Sequence, residues 1–200
     1  MKFYNSIGPN PQVVRVFAAE KGLALDKVEV DLMKAENRQD AHLRRNTAGQ
    51  LPSLETDGGQ FINEITAICE YLEEKNPSPA LIGSTPEERA ETRMWVRRFD
   101  ENVIVPMTTG FRWAEGQQLF TGRIPVFPEG APFLKALAKD RLAWIDTMLA
   151  GRTWFCGDRF TLADIMAGGL GVLGTNVGPA PGPRHKNPAP LLKGAQNQPG

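Results

Sequence analysis

Pro52 constrains this chain more than any other residue. It falls between the polar stretch Asn46-Thr47-Ala48-Gly49-Gln50 and the run Ser53-Leu54-Glu55-Thr56, which reads as a short strand. A proline at such a junction marks a positioned turn, and X-Pro is the one bond at which a fold can fix cis geometry at small cost. If Leu51-Pro52 is cis, the Leu51 N–H and C=O turn outward, where a ligand running like an added strand can pair with them. Further on, Glu64 opens an apolar, helix-like run of Ile65, Ile68, Cys69 and Leu72. Free N–H groups and a positive helix end then lie beside it. Backbone pairing next to a helix N-terminus suits a small, extended peptide that carries a carboxylate.

The elements around this turn alternate in type. Lys2 to Asn5 is short and aromatic, a buried first strand. Asn10-Pro11 reads as an N-cap followed by proline at the first helical position, with Val13, Val14, Val16, Phe17 and Ala18 as the apolar face and Gly22 as the stop. Leu25 to Leu32 alternates in the manner of a half-buried strand, and Ala41 to Arg45 makes a short helix. Asp57-Gly58-Gly59 is a hairpin turn between Ser53–Thr56 and Gln60–Ile62, and Glu64 to Lys75 is a helix. The order β-α-β-α-β-β-α is that of a thioredoxin-like domain with a mixed sheet.

After a Pro-rich connection the pattern becomes purely helical. Thr85-Pro86-Glu87-Glu88 reads as N-cap, proline at N1 and an acidic first turn, and Pro106 kinks the long helix that follows. Gly122 to Pro132 is a crossing loop, and Phe133 to Leu149 is amphipathic. Thr161 and Asp164 then resemble a capping box, with Phe160 in the position of a hydrophobic staple. The predicted domains are 1–76 (thioredoxin-like), 77–86 (linker), 87–167 (helical) and 168–200 (an irregular Gly/Pro-rich tail).

The 200 residues suffice for one or two domains with a core, and a net charge of zero gives no basic patch for nucleic acid. Arg44-Arg45 and Arg97-Arg98 are isolated pairs. Cys69 and Cys156 form no C-x-x-C, so neither a disulfide framework nor a metal site is expected. His42 is placed on a solvated helix face and His185 in the tail, with no metal set or triad around either. No signal-peptide core opens the chain and no run reaches the length of a membrane span, so a cytoplasmic protein is expected.

The N-x-x-G-x-L-P turn at 46–52, the Glu64-Ile65-Thr66-Ala67-Ile68 helix start and Gly157-Asp158-Arg159-Phe160-Thr161-Leu162-Ala163-Asp164 together resemble the cytosolic glutathione S-transferases, bacterial type. The resemblance implies glutathione as co-substrate, an apolar electrophile as the second substrate and a homodimer. Leu51 would pair through its backbone with the cysteinyl part of glutathione, held by Pro52. Glu64 and the Ile65 N–H would fix the γ-glutamyl end, where Ile65 stands in place of the family's serine. Asn37 and Gln50 would reach the glycyl end. The thiol, with a free pKa of about 8.5, needs a hydrogen bond at the start of the first helix to become thiolate. The candidates are Asn10 and Ser6, with Tyr4 as a weaker rival. Met107, Phe111 and Trp113 would line the electrophile pocket.

The resemblance spans about residues 1 to 167, so the helical domain is expected to be incomplete. Three glycines within four residues, at Gly168, Gly169 and Gly171, argue against a continuing helix. Codons for Gly178 to Leu192 exist that, read one base on, give G-Q-P-L-D-P-A-T-K-T-L-P-R-Y, which looks like a late segment of such a transferase. A frameshift in the tail is therefore expected.

Overall fold

The computed structural model describes the backbone of residues 1–177 and the side chains of residues 1–169. Its first half is a four-stranded sheet, in the order β2-β1-β3-β4. The strands are β1 (Lys2–Asn5), β2 (Asp26–Glu29), β3 (Ser53–Glu55) and β4 (Phe61–Asn63). β1 runs parallel to β2 and antiparallel to β3, which pairs antiparallel with β4. The side-chain period of two decides which residues reach the core. Phe3 and Leu54 oppose each other in register and are both fully buried, under α1 (Pro9–Glu20) and α3 (Ile65–Lys75). Tyr4 faces the other way and packs with Val30 and Leu51. A short α2 (Asp40–Leu43) precedes the proline turn. This is the thioredoxin-like β-α-β-α-β-β-α order.

β2 departs from expectation. It is four residues long and exposed throughout, in place of a half-buried strand over 25–32. As the outer strand it has a neighbour on one side only, and Val28 lies over Tyr4 on the face that carries no helix of the α1–α3 layer. Alternation in the sequence records which residues can be buried, not whether a layer exists to bury them.

The second half is helical. Thr85 caps α4 (Pro86–Phe99) by accepting from the Glu88 N–H, and Glu88 returns a carboxylate to the Ser84 N–H at 2.7 Å. The helix then widens into a π-helical segment, Asp100–Ile104, before α5 (Val105–Trp113). Pro106 lies just beyond, and a proline there cannot supply the N–H that an α-helical ladder would bring to residue 102. Two short helical turns, one of them α6 (Gln117–Phe120), lead to α7 (Ala131–Met148). Trp95, Phe99 and Phe155 pack edge to face, with centroids 5.5 and 5.6 Å apart. No described helix is long and apolar enough to cross a membrane.

Asp164 ties the start of α8 (Leu162–Val177) to the preceding loop. It accepts from the Thr161 N–H at 2.8 Å, the Thr161 hydroxyl at 3.0 Å and the Phe155 N–H at 2.9 Å. Burial pushes its carboxyl pKa up, against the pull of these donors. The helix does not stop at Gly168 as the sequence predicts; it runs through the glycines to Val177. Gly169 shows why glycine belongs there. A Cβ at this position would lie 3.0 Å from Val13 Cγ2, so its absence lets α8 approach α1 closely. The predicted tail frameshift and His185 lie outside the described residues.

The two halves share one core, which runs from Phe3, Val13 and Leu54 to Trp95, Ile145 and Ile165. A buried ion pair reinforces the join. Lys21 Nζ at the end of α1 donates to Glu73 Oε2 at 2.7 Å and to the Pro79 carbonyl at 2.6 Å. Glu73 also accepts from the N–H groups of Leu81 and Ile82.

Candidate functional site

β1 delivers its last residues into the space below α1. Asn5 and Ser6 are buried, and Arg15 reaches back to hold both, at 2.5 Å to Asn5 Oδ1 and 3.2 Å to the Ser6 carbonyl. Asn5 in turn donates to Glu29 at 2.6 Å. Gly8, with φ 143°, turns the chain into the helix and takes the cap position. The cap expected at Asn10 is therefore displaced by two residues. Pro9 is the first helical residue, Asn10 the second, and Asn10 caps nothing. Its half-buried side chain makes no hydrogen bond among the described residues, so both amide hydrogens are free to donate. Pro9 and Pro11 lack N–H groups, which leaves the first turn of α1 with few backbone donors.

Tyr4 is engaged elsewhere. Its hydroxyl donates to Glu55 Oε2 at 2.7 Å, and the Arg45 guanidinium lies 4.2 Å over its ring. Burial, and then the bond to Glu55, push its pKa up.

Leu51-Pro52 is cis. Among the described residues, neither the N–H nor the C=O of Leu51 has a hydrogen-bond partner, although its side chain is buried against Tyr4 and Val30. Three side chains hold the residues before it. Asn37 Nδ2 donates to the Gly49 carbonyl at 2.7 Å, and the Gln50 carbonyl receives Asn46 Nδ2 at 3.1 Å and His42 Nε2 at 2.9 Å. His42 is 1% exposed, contrary to the expected solvated face. α2 is a single turn folded under the loop, so the helical period over so few residues cannot say which side is wet. Asn37 is buried, with its amide nitrogen committed to Gly49; Gln50 is exposed.

Glu64 joins β4 to α3 with φ 71° and ψ 127°, a backbone conformation that residues bearing a Cβ seldom adopt. Its side chain is exposed, and Ile65 and Thr66 follow in the first turn with their N–H groups unpaired in the helix. Facing it from the π-helical segment is Asp100, which sequence reasoning missed. Burial raises the Asp100 carboxyl pKa; the neighbouring Arg97 lowers it, and Glu101 and Glu64 raise it further. The sequence offers no distinct signal for Asp100, since the acidic pair Asp100-Glu101 follows Arg97-Arg98 in a helix already rich in charge.

The aromatic candidates on α5 each pack on one side against a neighbour. Trp113 meets Phe127 edge to face at 5.9 Å, and a Cβ on Gly130 would lie 3.0 Å from its ring. The Phe111 ring covers Gly116. Both remain half-buried, as does Met107. Among the described residues no group of three or more His, Cys, Asp or Glu is placed to hold a metal ion.

Fold and site together define a class: a thioredoxin-like domain with a cis-proline turn and a charged helix start, joined to an all-helical domain. The model of the glutathione S-transferase N-terminal domain matches residues 1–74, and that of the C-terminal domain matches residues 134–194. Glutathione S-transferase 2 of Saccharomyces cerevisiae is 31% identical over 160 residues, covering 79% of this chain and 69% of its own length. The crystal structure of Gtt2 from Saccharomyces cerevisiae superposes with a TM-score of 0.85 at 28% identity, over 100% of this chain and 97% of that one. A glutathione S-transferase domain-containing protein of Marinobacter aquaeolei gives 0.85 at 30% identity, over 100% and 98%. The chain belongs to the glutathione S-transferase family. The family match extends to residue 194, past residue 167, where the sequence reading ends the resemblance.

Proposed function

We propose that the protein binds glutathione along the Leu51 turn and conjugates it, through its thiolate, to an electrophilic small molecule. The thiol gives up its proton, a carbon–sulfur bond forms, and a leaving group such as halide departs where the electrophile carries one. The observation that carries this reading is the free N–H and C=O of Leu51, next to Glu64 and the N-terminus of α3. An extended tripeptide that pairs with Leu51 as a strand would place its γ-glutamyl end there. Its ammonium would meet the Glu64 and Asp100 carboxylates, and its carboxylate would meet the Ile65 and Thr66 N–H groups and the Thr66 hydroxyl. Asn37 and Gln50 would lie toward the glycyl end, with Asn37 acting through the Gly49 carbonyl it already holds. Asn10 would donate its free amide N–H to the sulfur and favour thiolate without itself ionising; Ser6 is the alternative donor. The apolar second substrate would lie over Met107 and the open faces of Phe111 and Trp113. The working unit would be a homodimer in the cytoplasm, as the family resemblance implies.

The prolines at 9 and 11 favour a second reading, in which the site binds glutathione but activates it weakly, so that the protein works as a glutathione-binding module. One experiment separates the two. Glutathione is titrated into wild type, Asn10→Ala and Ser6→Ala while thiolate absorbance is followed, and turnover of a generic aryl halide is measured alongside. A thiolate signal that falls about tenfold in one variant, with matching loss of turnover, identifies the donor. Binding without thiolate in wild type selects the second reading. No binding by wild type overturns both.

A further inference from the structure

We propose that His42 is a positioning residue for glutathione, acting through the Gln50 carbonyl on the backbone of Leu51. This rests on the proposed pairing of Leu51 with glutathione. His42 is 1% exposed and lies beneath the turn, where its hydrogen bond goes to the main-chain oxygen of Gln50 and not to the Leu51 N–H or C=O. Its Nε2 is 2.9 Å from the Gln50 oxygen, which is an acceptor only, so Nε2 carries the proton. Nδ1 is buried and has no partner among the described residues. Leaving a buried polar atom unmatched is unfavourable, and a phenylalanine would fill the same space without it. A histidine is explained here by its one bond.

That bond has a specific consequence for the turn. Gln50 shares a peptide plane with Leu51: its carbonyl and the Leu51 N–H belong to the same rigid unit. Fixing the Gln50 oxygen therefore fixes the direction in which the Leu51 N–H points. Asn46 Nδ2 supplies a second donor at 3.1 Å to the same oxygen, and its own Oδ1 is tied to the Ala48 N–H at 3.0 Å. Two donors converging on one carbonyl limit rotation of that peptide plane better than either alone. The N–H is thus presented to the ligand already oriented, and the ordering cost at binding is reduced.

The test compares His42→Phe, which keeps the volume and removes the donor, with His42→Gln, whose amide N–H reaches the position of Nε2. His42→Met, a flexible side chain without a donor, replaces the phenylalanine variant if that one does not fold. Glutathione dissociation constants and steady-state kinetics with an aryl halide are measured for each, after thermal melting shows that the variants are folded. The donor-free variant is expected to raise Kd and KM for glutathione about fivefold, the effect of one net hydrogen bond. Its kcat at saturating glutathione should stay within about twofold, and the glutamine variant should recover most of the affinity. Unchanged affinity in the donor-free variant, or equal losses in both, overturns the positioning role. The ligand reading is tested separately: if wild type binds glutathione and Glu64→Gly does not, that reading stands whatever the His42 variants do.

Discussion

Asn10, His42 and Glu64 mark three degrees to which single residues can be read from sequence. Glu64 was legible, because an acidic residue at a helix start after a proline turn has both an electrostatic and a spacing rationale. Its backbone conformation was not legible, since nothing local forces φ to 71°. The conformation persists because β4 and α3 fix both sides of it, at a cost of about 1–3 kcal/mol. Glu64→Gly should therefore raise the melting temperature while it weakens glutathione binding at least tenfold, measured by thermal unfolding and calorimetric titration. A variant that loses stability would show that the carboxylate, and not the ligand, justifies the strain. Asn10 was read as a cap because Asn-Pro has that local signature. Gly8 outcompetes it because the chain must turn sharply where β1 ends, and φ 143° is open to glycine. His42 was misread as a solvated residue, since its partner is a main-chain oxygen whose position depends on the folded loop.

At the scale of elements, segments that carry their own stop and start signals were recovered. The Asp57-Gly58-Gly59 hairpin, the Thr85 cap and the Thr161–Asp164 box all close bonds within a few residues of themselves. β2 and α8 were misjudged for the opposite reason: burial of one and continuation of the other are decided by partners distant in sequence. The Lys21–Glu73 pair belongs to this second kind, since neither residue announces burial. Both side chains are at most 2% exposed, and Glu73 holds the chain between α3 and α4 through two further N–H groups. Glu73→Ala should leave the Lys21 ammonium buried against a single carbonyl and lower stability by about 3–5 kcal/mol. Changing both partners, as Lys21→Met with Glu73→Leu, should lose less than the sum of the two single changes. Urea unfolding midpoints for the four proteins give the comparison.

Over the whole molecule, the division into a mixed-sheet half and a helical half could be read from the change in period, but their mutual dependence could not. A shared core implies one unfolding event. All four tryptophans lie in the helical half, whereas Cys69 is buried in α3 of the other, so two probes report the halves separately. Cys69 should become reactive toward a thiol reagent at the same urea concentration at which tryptophan fluorescence changes. Gly169→Val should lower that midpoint, by about 1–3 kcal/mol of overpacking against Val13, and pull the two signals apart. Coincident signals in the variant would mean that the α1–α8 contact is not what couples the halves. The missing side chain at position 169 also acts as a ruler. With α8 seated at van der Waals distance on α1, and Glu73 holding the Leu81 and Ile82 N–H groups of the connection that also accepts from the Leu162 N–H, the halves are tied at two places. If the proposed second substrate lies between them, discrimination among such substrates would come from the side chains that meet it and not from a closing motion.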